Sequence, residues 1–438
     1  MTTTAAPAKP AARMHPRIIE EQEARVIRTA YAYIAPAALV MALITFFPLV
    51  YQIWISITNY NTRNLRLPEG ASGLTGLLGQ IVGSFNPALK AQFNAPDIVG
   101  AANYISILTN ELGQVLSGYD FWRNLTFNLA WTFINVFFHV TIGVAIAVLL
   151  NVNGLWFKRF YRAMYVIPWA LPNLVATMVW RNMFDDQAGS VNILIKALGG
   201  TGLRWLQQID PPLPWLPPFV RLPAGWNPWM GLFLWFVLLV VPFALKAFRQ
   251  RWQLILPWAV VLQILFVLPG MLTSGPVETA SLGQLFPLSF YAVLIANIWL
   301  GWPFMMAIAT GALQGIPSEL YEAATVDGAS KWQSFWAITV PLLRPAMVPA
   351  IIIGMMWTFN NFNVMYFITG GGPLHQTEIL VTQAYRFVNE TTINLGPEIG
   401  NVRPYGIAAA FAYIVFAILA TITLITNRVS RATEAYYA

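Results

Sequence analysis

The chain has 438 residues, of which 57% are hydrophobic and only 10% charged, with a formal net charge of +7. Soluble domains carry about a quarter of their residues as charges, so this composition excludes an ordinary soluble domain and places the chain among membrane proteins. The absence of cysteine excludes a disulfide framework and any thiolate metal or redox site, and the scattered basic residues form no stripe of the kind a nucleic acid would need.

Residues 1–29 form a basic tail with Lys9, Arg13, Arg17, Arg25 and Arg28 behind a low-complexity start. The first apolar run, 30–57, is too long for a signal-peptide core and is expected to remain as a span. Further apolar runs lie near 124–151, 160–182, 252–272, 286–314, 346–369 and 405–427. Each has about the 20 residues that cross a bilayer at 1.5 Å per residue. A shorter run, 229–245, contains Pro242 and either spans or is re-entrant. Counting it, with 252–272, as a hairpin gives an all-α integral membrane fold of about eight transmembrane helices.

That count can be checked against charge. It places 1–29, 152–159, 246–251, 315–345 and 428–438 on one side, with Lys158, Arg159, Lys246, Arg249, Arg251, Lys331, Arg344, Arg428 and Arg431. The opposite loop 273–285 has no basic residue. Basic loops stay inside, so both termini are expected in the cytoplasm. Two loops on the outer side are long. Residues 58–123 are rich in Gly, Asn and Ser, and 183–228 are rich in Pro and Trp, which favours extended backbone. They are either plain connections or surfaces that meet an external partner.

The cytoplasmic loop 315–345 holds the segment SELYEAATVDGASKWQSFWAITVP, Ser318 to Pro341. Pro317 and Ser318 suit a helix start, and Glu319 and Glu322 suit its dipole. Ala323 and Ala324 keep the surface thin, and Gly328 can end the helix in a left-handed conformation. Ser330 can begin a second helix, on which Trp332, Phe335 and Trp336 share one face. Read from the residues alone, this is either an interfacial helix pair or a docking element for another protein. Clustered acids for catalysis would need a sheltered pocket that nothing here suggests.

In the following span Asn360, Asn361 and Asn363 are amides in an otherwise apolar helix, accompanied by Trp357, Phe359, Phe362 and Tyr366. Unpaired amides are costly in hydrocarbon. They serve either as interhelical hydrogen-bonding groups or as the lining of a midplane site for a polar cargo such as a sugar. His15, His139 and His375 are too far apart in the chain to suggest a metal site. There is no phosphate-cradling GxxxxGK[ST] segment, so no nucleotide or other cofactor is expected on this chain.

These segments resemble a known family. Glu322-Ala323-Ala324, then Gly328, then Ile338-Thr339-Val340-Pro341 is similar to the EAA loop of ABC-importer permeases, with Val340 where Leu is usual. Asn360-Asn361-Phe362 followed by Thr369-Gly370-Gly371-Gly372-Pro373 resembles the carbohydrate branch, in particular the larger permease subunit of maltose and maltodextrin importers. The likeness covers most of 28–60 and 121–438. It fails at about 211–285, which reads as a hairpin inserted into a six-helix core of 121–210 and 286–427. No insertion matches the extra extracytoplasmic domain of the larger maltose permeases.

The resemblance implies a permease subunit of the bacterial inner membrane, itself not an enzyme. It would pair with a second permease subunit, two copies of a cytoplasmic ABC ATPase that binds the ATP, and an extracytoplasmic sugar-binding protein. It implies that Glu322, Ala323, Ala324, Asp327 and Gly328 couple to the ATPase. It also implies that Asn360, Asn361, Asn363, Tyr366 and Tyr413 contact a sugar: maltose, a maltodextrin or a related α-glucoside. The rival reading, an ion-gradient-driven secondary transporter, would call for intramembrane acids, and the apolar runs contain no Asp or Glu.

Overall fold

A computed structural model describes residues 16–434 except 69, 72, 115, 117, 153, 211–216, 245–254 and 395–400. The chain divides into two compact units, Met1–Ile55 and Ser56–Ala438. The first is dominated by one helix, α1 (Pro16–Ser56), whose apolar side chains from Val26 to Val50 are largely exposed. A helix that is apolar over its surface suits a lipid environment.

In the second unit the Gly/Asn/Ser-rich segment after Ser56 is folded. It forms α2 (Gly73–Phe85), α3 (Pro87–Phe93) and α4 (Ala102–Leu108). Its asparagines act as local fasteners. Asn86 caps α3 by accepting from the Ala88 N–H at 3.1 Å, and Asn103 donates to the carbonyls of Ser56 and Thr58 at 2.9 and 2.8 Å. The composition that reads as irregular loop is thus what holds short helices together.

The long helix α5 (Phe121–Asn151) follows, capped by Asp120, whose carboxylate accepts from the Arg123 N–H at 3.0 Å. The run expected as one span at 160–182 is broken. It forms α6 (Lys158–Ala170) and α7 (Asn173–Met183), which meet at 89°. Pro172 has no N–H and pushes Leu171 into extended backbone (φ −72°, ψ 141°), which ends α6. The 183–228 loop, expected to be extended, contains α8 (Ser190–Ala197) and a strand β1 (Val220–Pro223); its most proline-rich part, 211–216, lies outside the described residues.

The hairpin expected within 211–285 consists of α9 (Pro228–Ala244) and α10 (Ile255–Leu272); residues 245–254 between them are outside the described residues. A strand β2 (Val277–Ala280) then pairs antiparallel with β1, Val220 opposite Ala280. After α11 (Leu282–Leu285) come α12 (Leu288–Gln314) and α13 (Glu319–Val326). The second short helix expected at 330–336 is not separate. The turn α14 (Lys331–Ser334) runs through a π-helical segment, Phe335–Thr339, into α15 (Val340–Phe359), so Pro341 and Pro345 lie within the helix. The chain ends with α16 (Phe362–Thr369), α17 (Leu380–Asn389), the short strands β3 (Ile393–Asn394) and β4 (Asn401–Val402), and α18 (Tyr405–Glu434).

By length and composition, five helical stretches among the described residues can cross a membrane, and the bent α6–α7 pair makes a sixth. The hairpin contributes two shorter apolar stretches, Pro228–Val240 and Pro257–Leu272.

Helix α5 contributes to all three buried clusters. Phe127 and Trp131 join Val220, Leu232 and Phe290. Phe121 and Leu125 join Phe359, Phe387 and Phe411. Ala147 and Leu150 join Met305, Met306 and Leu343. Lipid tails are as apolar as leucine, so close packing rather than escape from water holds such helices together, and small residues at the crossings favour it. Gly143 is such a residue: a Cβ there would lie 2.7 Å from Met305 Cβ and 2.8 Å from the Met306 nitrogen. Because part of that obstacle is backbone, Gly143→Val is expected to destabilise the α5–α12 crossing by about 1–3 kcal/mol. A lowered melting midpoint of the detergent-solubilised protein would register this; an unchanged midpoint would count against the crossing.

Candidate functional site

The asparagines at 360, 361 and 363 fall where a long helix stops and restarts. Asparagine competes with helical hydrogen bonding through its own side chain, and here α15 ends at Phe359 while Asn361 starts α16. Its Oδ1 accepts from the Val364 N–H at 3.4 Å. A helix end leaves its last carbonyls without intrahelical partners, and in an apolar interior each unpaired group is costly.

The Thr358 carbonyl accepts from the Asn361 backbone N–H at 3.2 Å, and α5 supplies further donors. Trp131 donates its indole N–H to the Thr358 carbonyl at 3.1 Å, and Asn128 Nδ2 donates to the Phe359 carbonyl at 3.2 Å. Asn128 Oδ1 in turn accepts from the Leu380 N–H at 2.9 Å, at the start of α17. One buried amide therefore fastens the end of one helix and the beginning of another to α5.

A second ladder runs deeper. Asn361 Nδ2 donates to Asn297 Oδ1 at 2.7 Å, and Asn297 Nδ2 donates to Asn135 Oδ1 at 2.8 Å. Asn135 Nδ2 donates to the Trp131 carbonyl at 2.8 Å. His139 Nε2 lies 2.9 Å from the Asn297 carbonyl, which can only accept, so the imidazole proton sits on Nε2. Asn128, Trp131, Asn135, His139 and Asn297 are all buried. Along α5, Asn124, Asn128, Asn135 and His139 form a polar stripe on one face. That spacing was the available sequence signal for this group, and attention to the asparagine triplet alone missed it.

Beside this break lies a cavity of about 530 Å³. Asn360, Asn361, Phe362 and Asn363 line it together with Trp357, His139 and Asn297. The α6–α7 bend contributes Trp169, Leu171 and Asn173, and α12 contributes Phe304. Trp169, Phe304 and Trp357 form a run of rings, with centroids 6.1 and 5.1 Å apart. Among the described lining residues there is no Asp, Glu, Lys or Arg.

The structure thus brings three of the five expected contact residues to one wall. Asn360 is exposed, and its Nδ2 makes a 3.4 Å bond to the Met356 carbonyl. Tyr366 is one layer back: its ring stacks on Phe362 at 4.8 Å, and it packs against Tyr385. Tyr413, on α18, packs against Phe416 and does not line the cavity. Phe359, expected among the aromatic partners, is buried in the core instead.

The loop beyond α16 is fixed to the same frame. Glu378 is buried and accepts from Arg386 at 2.9 Å, with His375 Nδ1 3.0 Å away. Arg123, at the start of α5, donates to the Gln376 carbonyl at 3.1 Å.

At the other end of the α14–α16 stretch, α13 stands exposed. Glu322, Ala323, Asp327 and Gly328 are exposed and Ala324 is half-buried. Ser318 sits at the N-cap position in helical backbone without a side-chain capping bond, so the expected cap is not formed there. Ser330 does cap, with a reciprocal bond from Gln333. The end of α13 is closed by two backbone bonds, Gly328 N–H to the Thr325 carbonyl at 3.1 Å and Ala329 N–H to the Ala324 carbonyl at 2.9 Å. This is the Schellman arrangement, and it requires the left-handed conformation that Gly328 adopts at φ +79°. Tyr321 Oη lies 2.9 Å from Thr339 Oγ1, tying α13 to the π-helical segment. Val326 is 87% exposed, and Trp332 and Trp336 are exposed as well.

Residues 139–431 match the family of binding-protein-dependent transport system inner membrane components. The chain is similar to the galactooligosaccharides transport system permease protein GanP of Bacillus subtilis (strain 168), at 26% identity over 93% of this chain and 71% of the relative. It is also similar to the trehalose/maltose transport system permease protein MalF of Thermococcus litoralis, at 25% identity over 76% of this chain and 80% of the relative. Among solved structures, a chain of a bacterial alginate ABC transporter, in complex with an alginate pentasaccharide-bound periplasmic protein, shares the fold. Its TM-score is 0.55 at 15% identity, covering 94% of this chain and 96% of that one.

The helix break offers a test that does not depend on any cargo. Asn128→Leu leaves the Phe359 carbonyl and the Leu380 N–H unpaired, a penalty of about 1–3 kcal/mol for each group. Its melting midpoint in detergent is expected to fall, whereas Phe137→Leu, on the exposed face of α5, leaves the midpoint unchanged. Equal midpoints for both variants would show that α5 does not hold the break.

Proposed function

The chain belongs to the family of binding-protein-dependent transport system inner membrane components, and from that premise we propose that it forms half of the translocation path of an ATP-driven importer for neutral sugars. The observation that carries this is the cavity at the break between α15 and α16. Its wall offers amides from Asn360, Asn361, Asn363 and Asn173 and aromatic faces from Trp169, Trp357 and Phe362, with no charged side chain among them. A sugar needs both: hydrogen-bonding partners for its hydroxyls and flat apolar surface for its C–H faces. The lack of charge favours neutral over acidic cargo. Maltose, a maltodextrin or a related α-glucoside fits this wall, in line with the names of several relatives.

The remaining parts take their roles from the same reading. α13, with Glu322, Ala323, Ala324, Asp327 and Gly328, docks on a cytoplasmic ATPase. The complete importer holds a second permease subunit, two ATPase copies and an external sugar-binding protein, and both termini of this chain face the cytoplasm of a bacterial inner-membrane system. Nothing in the family or its relatives supports the ion-gradient alternative.

Two experiments on the reconstituted importer test this. Replacing Asn360 and Asn361 together by Leu is expected to cut sugar uptake at least about tenfold, since a wall built for hydrogen bonding loses its donors. Subunit assembly, read by co-purification, should be retained, and unchanged uptake would leave the asparagines with a packing role only. Gly328→Pro cannot take a positive φ, so it should disrupt the end of α13. With Glu322→Lys it is expected to separate ATP hydrolysis from uptake while membrane insertion persists; normal uptake in both variants would refute the docking role.

A further inference from the structure

We propose that the outer face of the inserted hairpin holds an anionic phospholipid, with Arg221 as its headgroup anchor. This site shares no lining residue with the asparagine cavity and is independent of the transport reading. Between the ribbon β1–β2 and α10 lies an open groove of about 500 Å³. Its floor is apolar: Ile264, Leu268 and Met271 of α10 line it, and they are 55%, 45% and 63% exposed. Pro218 forms the opposite side, and Gln263 is occupied, donating to the Phe219 carbonyl at 3.1 Å.

Arg221 also lines the groove, and among the described lining residues it carries the only charge. Within the ribbon, Val220 and Leu222 turn into the core, so Arg221 occupies the other face. The one carboxylate of the two strands, Glu278, is paired in register with Leu222 and therefore shares that residue's face, away from Arg221. Among the described residues no carboxylate lies within ion-pairing distance of Arg221, and its Nε is buried without a hydrogen-bond partner. The approach of α10 to this residue is close: a Cβ at Gly270 would meet the Arg221 backbone and Cβ at about 2.8 Å.

A guanidinium with no carboxylate partner among the described residues, beside an apolar groove at the end of a membrane hairpin, matches the two parts of a phospholipid. The planar fork pairs with phosphodiester oxygens, and an acyl chain lies along Ile264, Leu268 and Met271. Arg221 adjoins the Gly270–Met271 end of α10, opposite the end that meets the basic turn. An interfacial arginine at such a helix end sits at headgroup depth. An anionic headgroup is favoured because it brings no ammonium to compete with the arginine for the phosphate.

The test uses the full chain, purified from membranes in mild detergent together with the subunits it retains. Native mass spectrometry and phosphorus assay would count tightly held phospholipid. The parent is expected to retain phospholipid, with phosphatidylglycerol preferred over phosphatidylcholine when both are offered in equal parts in nanodiscs. Arg221→Gln is expected to lower occupancy by about tenfold or more, as loss of a charge-assisted hydrogen bond implies. Leu268→Trp, which fills the groove but keeps the cation, should lower it as well. Retention unchanged in both variants would overturn the proposal, since the groove would then hold no lipid. Retention without headgroup preference would overturn it too, reducing the site to ordinary lipid solvation. Displacement by soluble glycerol phosphate at the same concentration would show a free-anion site and overturn the lipid assignment.

Discussion

A helix cannot stop in an apolar interior unless something pairs with the carbonyls it leaves open. In this protein Asn128 of α5 meets that requirement at the Phe359 carbonyl, while Trp131 adds a second donor to the Thr358 carbonyl, which also accepts from the Asn361 backbone N–H. The rest of the central architecture depends on it. With those donors in place, α15 can end, Asn361 can begin α16, and Asn360 and Asn363 can line a cavity instead of packing against a helical neighbour. The α6–α7 bend, caused by Pro172, supplies the facing wall. Two interruptions of helical structure thus make a space that two straight spans would fill.

The same chain segment joins this space to the exposed loop. From Lys331 to Phe359 the backbone is continuously helical, passing through a π-helical segment at Phe335–Thr339. π-Helical turns are uncommon and recur at functional positions. Here the segment receives the hydroxyl contact from Tyr321 of α13 through Thr339. Helix α13 is therefore tied to a continuous helical stretch whose far end is the asparagine wall. On the reading proposed above, in which α13 docks on an ATPase, this stretch is the covalent link between the docking helix and the cavity wall.

Much of this was legible in the residues. Five of the expected spans announced themselves because crossing hydrocarbon demands long apolar runs, whereas the run at 160–182 gave no sign of its 89° break. The end of α13 was legible too, since the left-handed turn at residue 328 is conformationally easy only for glycine. The asparagine triplet was conspicuous because amides are rare in apolar helices. Its two readings, hydrogen-bonding group or cavity lining, were not alternatives: Asn361 bonds to Asn297 and also faces the cavity. Less was legible where the outcome depended on distant partners. The 58–123 stretch gave no periodicity because its helices are short and its order comes from asparagine-to-backbone bonds. Tyr366 had the right composition for a contact residue, yet Phe362 stands between it and the cavity.

By itself the sequence determined which segments are apolar enough to enter a membrane, which loop carries the exposed acids and small residues, and where backbone must turn. These follow from local composition and from the intrinsic preferences of Pro, Gly and Asn. Only the tertiary structure decided which polar groups meet. Asn128 lies 231 residues from Phe359 and Asn135 lies 162 from Asn297, and nothing in either neighbourhood encodes the other. The helix could break at Asn360 only because the chain returned α5 to that point with its donors aligned, and a hydrogen bond depends on position in space, not on separation along the chain.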